Sequence, residues 1–254
     1  MVKVIAHRGA NKLAPQNTLP AFRLARELGC DGFENDTHFT KDRQVVVCHN
    51  YDIDKTSNGK GFIKDMTLDE LRSYDFGSYF SPEYAGTRIP TLDEFFEVAK
   101  GLEIINVEIK RPIDGDLSIV DATIEGAKKW GVLENLLISS FDPACLDRAA
   151  EYEPACKTAV LYDMTKPEFY TIIDDPAGFA SKHGCFAIHP IYVTVDRHTV
   201  ERAHELGLKV NPWTVDSDEA ILAMAYLGCD GVITDVCGRA TELLRPFNES
   251  VKNG

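Results

Sequence analysis

The stretch Phe33–Asn50, FENDTHFTKDRQVVVCHN, sets Glu34 and Asp36 two positions apart and ends an apolar run at His49. Side chains alternate along an extended chain, so both carboxylates fall on one face of a strand. The segment NVEIK repeats the pattern with Glu108 and Lys110. Three carboxylates that converge repel one another unless positive charge stands between them. Hard oxygen donors with no cysteine partner favour Mg2+ or Ca2+ over zinc. The competing reading is an ion-pair network of Glu34, Asp36, Glu108 and Lys110 inside a barrel. His7 and Arg8 follow the first apolar run, in KVIAHRG. Together with His49 and Lys110 they make a set of two imidazoles and two cations. A guanidinium fork suits phosphate oxygens, and imidazoles exchange protons near neutral pH. The chemistry open to this set is that of a phosphate group.

Such residues need elements to hold them. Eight short apolar or β-branched runs read as strands: Lys3–Ala6, Asp31–Phe39, Ile104–Lys110, Asn135–Ser140, Lys157–Tyr162, Cys185–Pro190, Leu208–Trp213 and Asp230–Asp235. Between them, apolar residues recur at three- and four-residue steps over Leu19–Leu28, Leu92–Ala99, Ser118–Trp130, Pro143–Glu153, Ala177–His183, Val195–Leu206 and Ser217–Leu227, the helical period. Glycines 29, 131, 184, 207 and 228 each separate a helical pattern from the next strand, where a left-handed residue stops a helix. The joint LGCDG occurs twice, at Leu28–Gly32 and Leu227–Gly231, and reads as structure. Eight strands alternating with helices predict an α/β fold, a (β/α)8 barrel. A doubly wound sheet is the alternative, weakened by the lack of G-x-G-x-x-G after the first strand. Residues 51–88 break the alternation with a polar, glycine-bearing and aromatic segment that holds one short helix capped by Thr67. Following strand two, it is expected above the C-terminal mouth of the barrel, where barrel enzymes keep their sites.

The chain has 254 residues, 44% of them hydrophobic, enough for a sizeable core. Its net charge of −13 argues against nucleic acid as a partner. Seven scattered cysteines with no C-x-x-C pair fit neither a disulfide framework nor a zinc site. The opening apolar run is shorter than a signal-peptide core, and no stretch nears the ~20 apolar residues of a membrane helix. These features read as a cytoplasmic protein.

In order along the chain, HRG, PQNTLPAF, ENDTHFTKDRQVVVCHN, KTSNGKG, MTLDELRSYDFGSYFSPEYAGTRIPTLDE, NVEIK, SSFD and PWTVD resemble the motif blocks of the glycerophosphodiester phosphodiesterases. The likeness spans nearly the whole sequence. It implies a TIM barrel over residues 1–254 as one domain, with a small insertion after strand 2 at 51–88. It further implies Glu34, Asp36 and Glu108 as ligands of a divalent cation, Mg2+ or Ca2+, and His7 and His49 as the acid–base pair. Arg8 and Lys110 would hold the phosphate, with Phe141 and Trp213 as walls at the glycerol or alcohol end. The implied reaction is metal-dependent hydrolysis of glycerophosphodiesters to sn-glycerol 3-phosphate and an alcohol. Two positions depart from the pattern: Gln16 stands where Pro-Glu-Asn-Thr is usual, and Asn50 where His-Asp is usual. Each replaces a carboxylate by an amide of similar shape, keeping an acceptor and losing a charge. TDVCGRA also lacks a proline often found after the last strand. The departures leave room for another diester, such as a lysophospholipid or a cyclic phosphate, or for a non-catalytic binder of phosphorylated polyols. In every version the partner is a small molecule, without stable membrane insertion.

Overall fold

The computed structural model describes residues 1–163, 165 and 175–253. Its strands are β1 (Lys3–His7), β2 (Gly32–Phe39), β3 (Val45–Val47), β4 (Ile104–Ile109), β5 (Leu136–Ser140), β6 (Lys157–Tyr162), β7 (Ala187–Pro190), β8 (Lys209–Val210) and β9 (Gly231–Thr234). The α-helices are α1 (Leu19–Glu27), α2 (Leu68–Leu71), α3 (Leu92–Ala99), α4 (Ser118–Trp130), α5 (Pro143–Tyr152), α6 (Pro176–Lys182), α7 (Arg197–Glu205), α8 (Asp218–Leu227) and α9 (Cys237–Asn253). All strands but β3 lie parallel, in the order β8-β7-β6-β5-β4-β2-β1-β9. Backbone bonds from Asp230 N–H to Val210 O and from Ile233 N–H to Pro212 O, both 2.9 Å, join the two ends of that order. The fold is the expected (β/α)8 barrel, with the expected insertion after strand two.

Alternation along each strand separates two environments. On β2, Phe33 faces outward and meets Phe22 of α1 and Phe95 of α3, with ring centroids 5.6 and 6.5 Å away. Its neighbour Glu34 faces the lumen. Low in the lumen Leu137, Ala159 and Ala187 pack with Ile104. Higher up the lining turns polar, with Asn106 donating to Ser139 Oγ at 3.0 Å. The acidic and basic groups of the C-terminal mouth lie above that apolar layer.

Two elements differ from the reading of the sequence. The run after Gln44 is a strand, β3, which pairs antiparallel with the end of β2 at Thr37–Val47 and Phe39–Val45. The chain after Asp235 forms α9, the longest helix, with Pro246 inside it. The expected short helix in 51–88 is α2, closed by a capping box in which Thr67 and Glu70 bond each other's backbone. That segment builds a small core of its own, with Ile53, Ile63, Leu71, Phe76 and Ile89 around Val46 and Cys48. The five glycines named above all have φ between 65 and 91°. At the two ends of the chain, Val2 N–H donates to Asn248 Oδ1 at 2.7 Å, and Asn248 Nδ2 returns a bond to Val2 O at 2.9 Å.

Candidate active site

The motif HRG ends β1 with a sharp change of direction. Arg8 and Gly9 are both left-handed, with φ 58 and 79°. A Cβ on Gly9 would stand 2.7 Å from the Ala21 backbone, so only glycine lets α1 approach. For Arg8 that conformation is strained, and its N–H is held twice, by Glu34 O at 3.0 Å and Glu34 Oε2 at 3.1 Å. The turn swings the guanidinium over β2. Its Nε lies 3.3 Å from Asp36 Oδ2, and Nη1 donates to Gln16 Oε1 at 2.7 Å. Gln16 therefore works here as an acceptor for Arg8. Asn17, also left-handed at φ 56°, donates from Nδ2 to Asp36 Oδ2 at 2.8 Å.

The register of β2 on β4 sets Asp36 beside Glu108 and Glu34 beside Asn106. One oxygen each from Glu34, Asp36 and Glu108 lies within 4.8 Å of the others, and all three residues are buried. Lys110 Nζ sits 2.8 Å from Asp36 Oδ1 and also bonds Glu108 Oε1. Among the described residues, no side chain or N–H donates to Glu34 Oε1 or Glu108 Oε2. The charges do not balance: three carboxylates face two cations, Arg8 and Lys110.

The acidities follow. Burial, then the Asp36 and Glu108 charges, push Glu34 well above the usual carboxylate range. Burial drives Glu108 up to about 7, against the pull of Lys110. Burial works on Asp36 too, but Lys110, Arg8 and His49 outweigh it and hold it well below its ordinary value. Lys110 is pushed down by burial and lifted more strongly by Asp36 and Glu108, so it stays charged. This cluster suits an incoming hard cation. Lone pairs are free, the donors are all oxygen, and negative charge is in excess. The ion-pair network expected as the alternative is present as well, and it covers only part of that charge.

His49 arrives by another route. Cys48 N–H donates to Asp36 O at 2.9 Å, continuing the β2–β3 hairpin, and the next residue turns into the mouth. Its Nδ1 lies 2.9 Å from Asn50 Oδ1, and burial pushes the imidazole down to about 4. His7 stands across the mouth with Nε2 3.9 Å from Glu34 Oε2. Trp213 is anchored by Nε1–H to His189 O at 2.8 Å, and its ring meets Phe141 edge to face, centroids 5.6 Å apart.

A cavity of about 170 Å³ opens between these groups, lined by His7, Arg8, Glu34, His49, Glu108, Lys110, Phe141 and Trp213. Of the nine residues singled out in the sequence, eight line it. The ninth, Asp36, lies wholly buried beneath Arg8 and Lys110. Three polar neighbours were not singled out: Asn11, Asn17 and Asp235. Asp235 Oδ1 meets His7 Nδ1 at 2.6 Å, and Asn11 Nδ2 donates to the same oxygen at 2.6 Å. The aspartate ends the last strand segment, as His7 ends the first, and that parallel was the available signal. Residues 51–88 border the mouth: Tyr79 and Phe80 line a hollow with His7 and Arg8, and Tyr51 Oη donates to Arg111 O at 2.8 Å.

The parallel barrel thus carries an acid cluster, two imidazoles and two cations at its C-terminal mouth. A sequence model of the glycerophosphoryl diester phosphodiesterase family matches residues 7–239. A glycerophosphodiester phosphodiesterase of Caldanaerobacter subterraneus subsp. tengcongensis is 39% identical, covering 91% of this chain and 93% of that one. One of Bacillus altitudinis is 31% identical, covering 96% and 98%. A phosphodiesterase of Oleispira antarctica, solved in complex with the product sn-glycerol-3-phosphate, superposes with a TM-score of 0.87 at 28% identity, covering 95% and 96%. The chain belongs to the glycerophosphoryl diester phosphodiesterase family.

Proposed function

We propose that this protein hydrolyses glycerophosphodiesters to sn-glycerol 3-phosphate and an alcohol, with a divalent cation held by Glu34, Asp36 and Glu108. The observation that carries the reading is the charge excess of the buried cluster. With all three carboxylates ionised, as cation binding requires, Arg8 and Lys110 leave one negative charge; a divalent cation and a monoanionic diester together bring the sum to zero. Mg2+ and Ca2+ both suit the oxygen donors. When bound, such an ion lowers the pKa of a nearby hydroxyl and screens phosphoryl charge.

The chain's own groups divide the remaining work. Arg8 and Lys110 hold the phosphoryl oxygens and stabilise the charge that builds on them. One imidazole, His7 or His49, takes the proton of the attacking glycerol hydroxyl as a cyclic phosphate forms. The other gives a proton to the departing alcohol, and water then opens the ring. Phe141 and Trp213 wall the glycerol or alcohol arm. Residues 51–88 serve as a cover over the mouth of a single domain, which Tyr79 and Phe80 beside His7 and Arg8 support. Seven free, buried thiols fit a reducing compartment and a cytoplasmic site of action. Among the described residues no helix is long and apolar enough to cross a membrane, in keeping with a small headgroup diester as substrate.

The test is glycerol 3-phosphate release from glycerophosphocholine and glycerophosphoethanolamine by chelator-stripped protein, with Mg2+, Ca2+ or no metal. Release restored by metal, and reduced on the order of 10³-fold in Glu34→Ala, is the expected result. A folded protein that shows no release with either ion would defeat the proposal, and saturable binding without turnover would make it a binder.

A further inference from the structure

The two imidazoles at the mouth are backed differently. His49 Nδ1 faces the side-chain oxygen of an amide, Asn50, at 2.9 Å. His7 Nδ1 faces a carboxylate, Asp235, at 2.6 Å, across a sequence separation of 228. The register explains the meeting. β1 pairs with β9 so that Ala6 stands beside Thr234, and the residues that follow are His7, the last of β1, and Asp235, just past β9.

We propose that Asp235 is a positioning residue for the reaction, which holds His7 in the tautomer with its proton on Nδ1 and presents Nε2 alone to the reacting atoms. The inference rests on the phosphodiesterase reading above. An ionised carboxylate can only accept, so the hydrogen between the two residues sits on Nδ1. The opposite nitrogen, Nε2, lies on the side of Glu34. An amide gives a weaker instruction, because it can accept from Nδ1–H or turn over and donate to a bare Nδ1. His7 is therefore the imidazole whose proton placement is fixed by the fold.

The carboxylate is itself held as such a role requires. Asn11 Nδ2 bonds Asp235 Oδ1 and also His7 O at 2.8 Å, tying the acceptor to the residue it orients. Lys12 Nζ stands 3.1 Å from Oδ2. Burial pushes the acid up, but His7, Asn11 and Lys12 outweigh it and keep it ionised. The backbone does not need this side chain. The N–H of Asp235 goes to Asp216 Oδ1 at 2.9 Å, and Thr234 Oγ1 donates to the same oxygen at 3.2 Å. Removing the carboxylate leaves the turn its own bonds.

Two readouts test the proposal. Nitrogen-15 NMR of the histidine rings at pH 8 in Mg2+ is expected to show His7 with its proton on Nδ1, and Asp235→Ala to shift His7 towards the Nε2–H form. Turnover of glycerophosphocholine by Asp235→Ala is expected to fall on the order of 10²–10⁴-fold in kcat, with KM within about threefold. Asp235→Glu recovers part of that loss. A His7 tautomer unchanged in Asp235→Ala, or a kcat within about threefold of wild type, overturns the proposal. Should Asp235→Ala fail to fold, Asp235→Leu, similar in size and unable to accept a hydrogen bond, takes its place in both measurements, and the same two results overturn the proposal. Should wild type turn over no diester, the phosphodiesterase reading fails, and the ring spectra alone decide whether Asp235 sets the tautomer.

Discussion

On the proposed cation-binding role of the cluster, Glu108, raised by burial to about 7, would register the arrival of an ion. Carboxylates bind metal in the ionised form, so loading the site expels whatever protons the raised Glu34 and Glu108 hold. Titration of stripped protein with Mg2+ near pH 6 is expected to release on the order of one proton, measured by calorimetry in buffers of different ionisation heat. Glu108→Gln should release less and bind more weakly. Across the mouth, Asn50→Asp would place a carboxylate 2.9 Å from His49 Nδ1, where the amide oxygen now lies. A negative neighbour favours imidazolium, so His49 rises from about 4. On the proposed acid–base role of His49, a limb of the pH–rate profile should move to higher pH by about one unit or more. The contrast between these groups and Asp235 shows what a sequence carries at this scale. Glu34, Asp36, Glu108 and Lys110 are legible because a strand's period of two puts them on one face. Asp235, Asn11 and Asn17 are not, because their roles depend on which strand pairs with which and on left-handed turns that single residues do not announce.

The elements divide along the same line. Seven of the eight barrel strands fall within a run read from the sequence and β1 passes its run by one residue, His7, since buried parallel strands are short apolar blocks fenced by turn residues. β3 escaped because three valines give no alternation to read, and its partner is the protruding end of β2. α9 escaped because Pro246 inside it reads as a break, whereas in the structure the helix runs through. The caps are local chemistry and easily seen. Thr91 opens α3 with a capping box, and Glu94 also bonds Arg72 at 2.6 Å. Thr91→Ala should lower stability by about 1 kcal/mol in urea unfolding and leave kcat within about twofold. Ile53, fully buried in the small core of the 51–88 segment, is a different case. Ile53→Ala should cost about 2–4 kcal/mol and speed amide hydrogen exchange across 51–88 before that of the barrel strands. Uniform exchange through both would show that the segment has no independent cooperativity.

At the scale of the whole molecule, the buried imidazoles tie stability to pH. Burial pushes His189, in the lumen, down to about 3 and His38 to about 4. Once unfolded, each takes a proton near 6.5. Their contribution to stability is complete above that pH and declines as pH falls towards 4 and 3, because the unfolded chain binds protons that the folded one refuses. Between pH 7 and 5 each buried imidazole should cost on the order of 2 kcal/mol of unfolding free energy, against which the raised Glu34 and Glu108 gain stability as they take up protons. His189→Gln, which lacks one of these titrations, should show a shallower fall. A pH dependence of stability in His189→Gln identical to that of wild type would contradict the assignment. The barrel has one more property, which follows from the reciprocal bonds between Val2 and Asn248. They bring the beginning of the first strand against α9, so the two ends of this sequence meet beside the ring of strands. A linker across that meeting would let the gene start elsewhere, in the exposed loop between β4 and α4 for example, and a circular permutant should still close the same barrel around the same mouth.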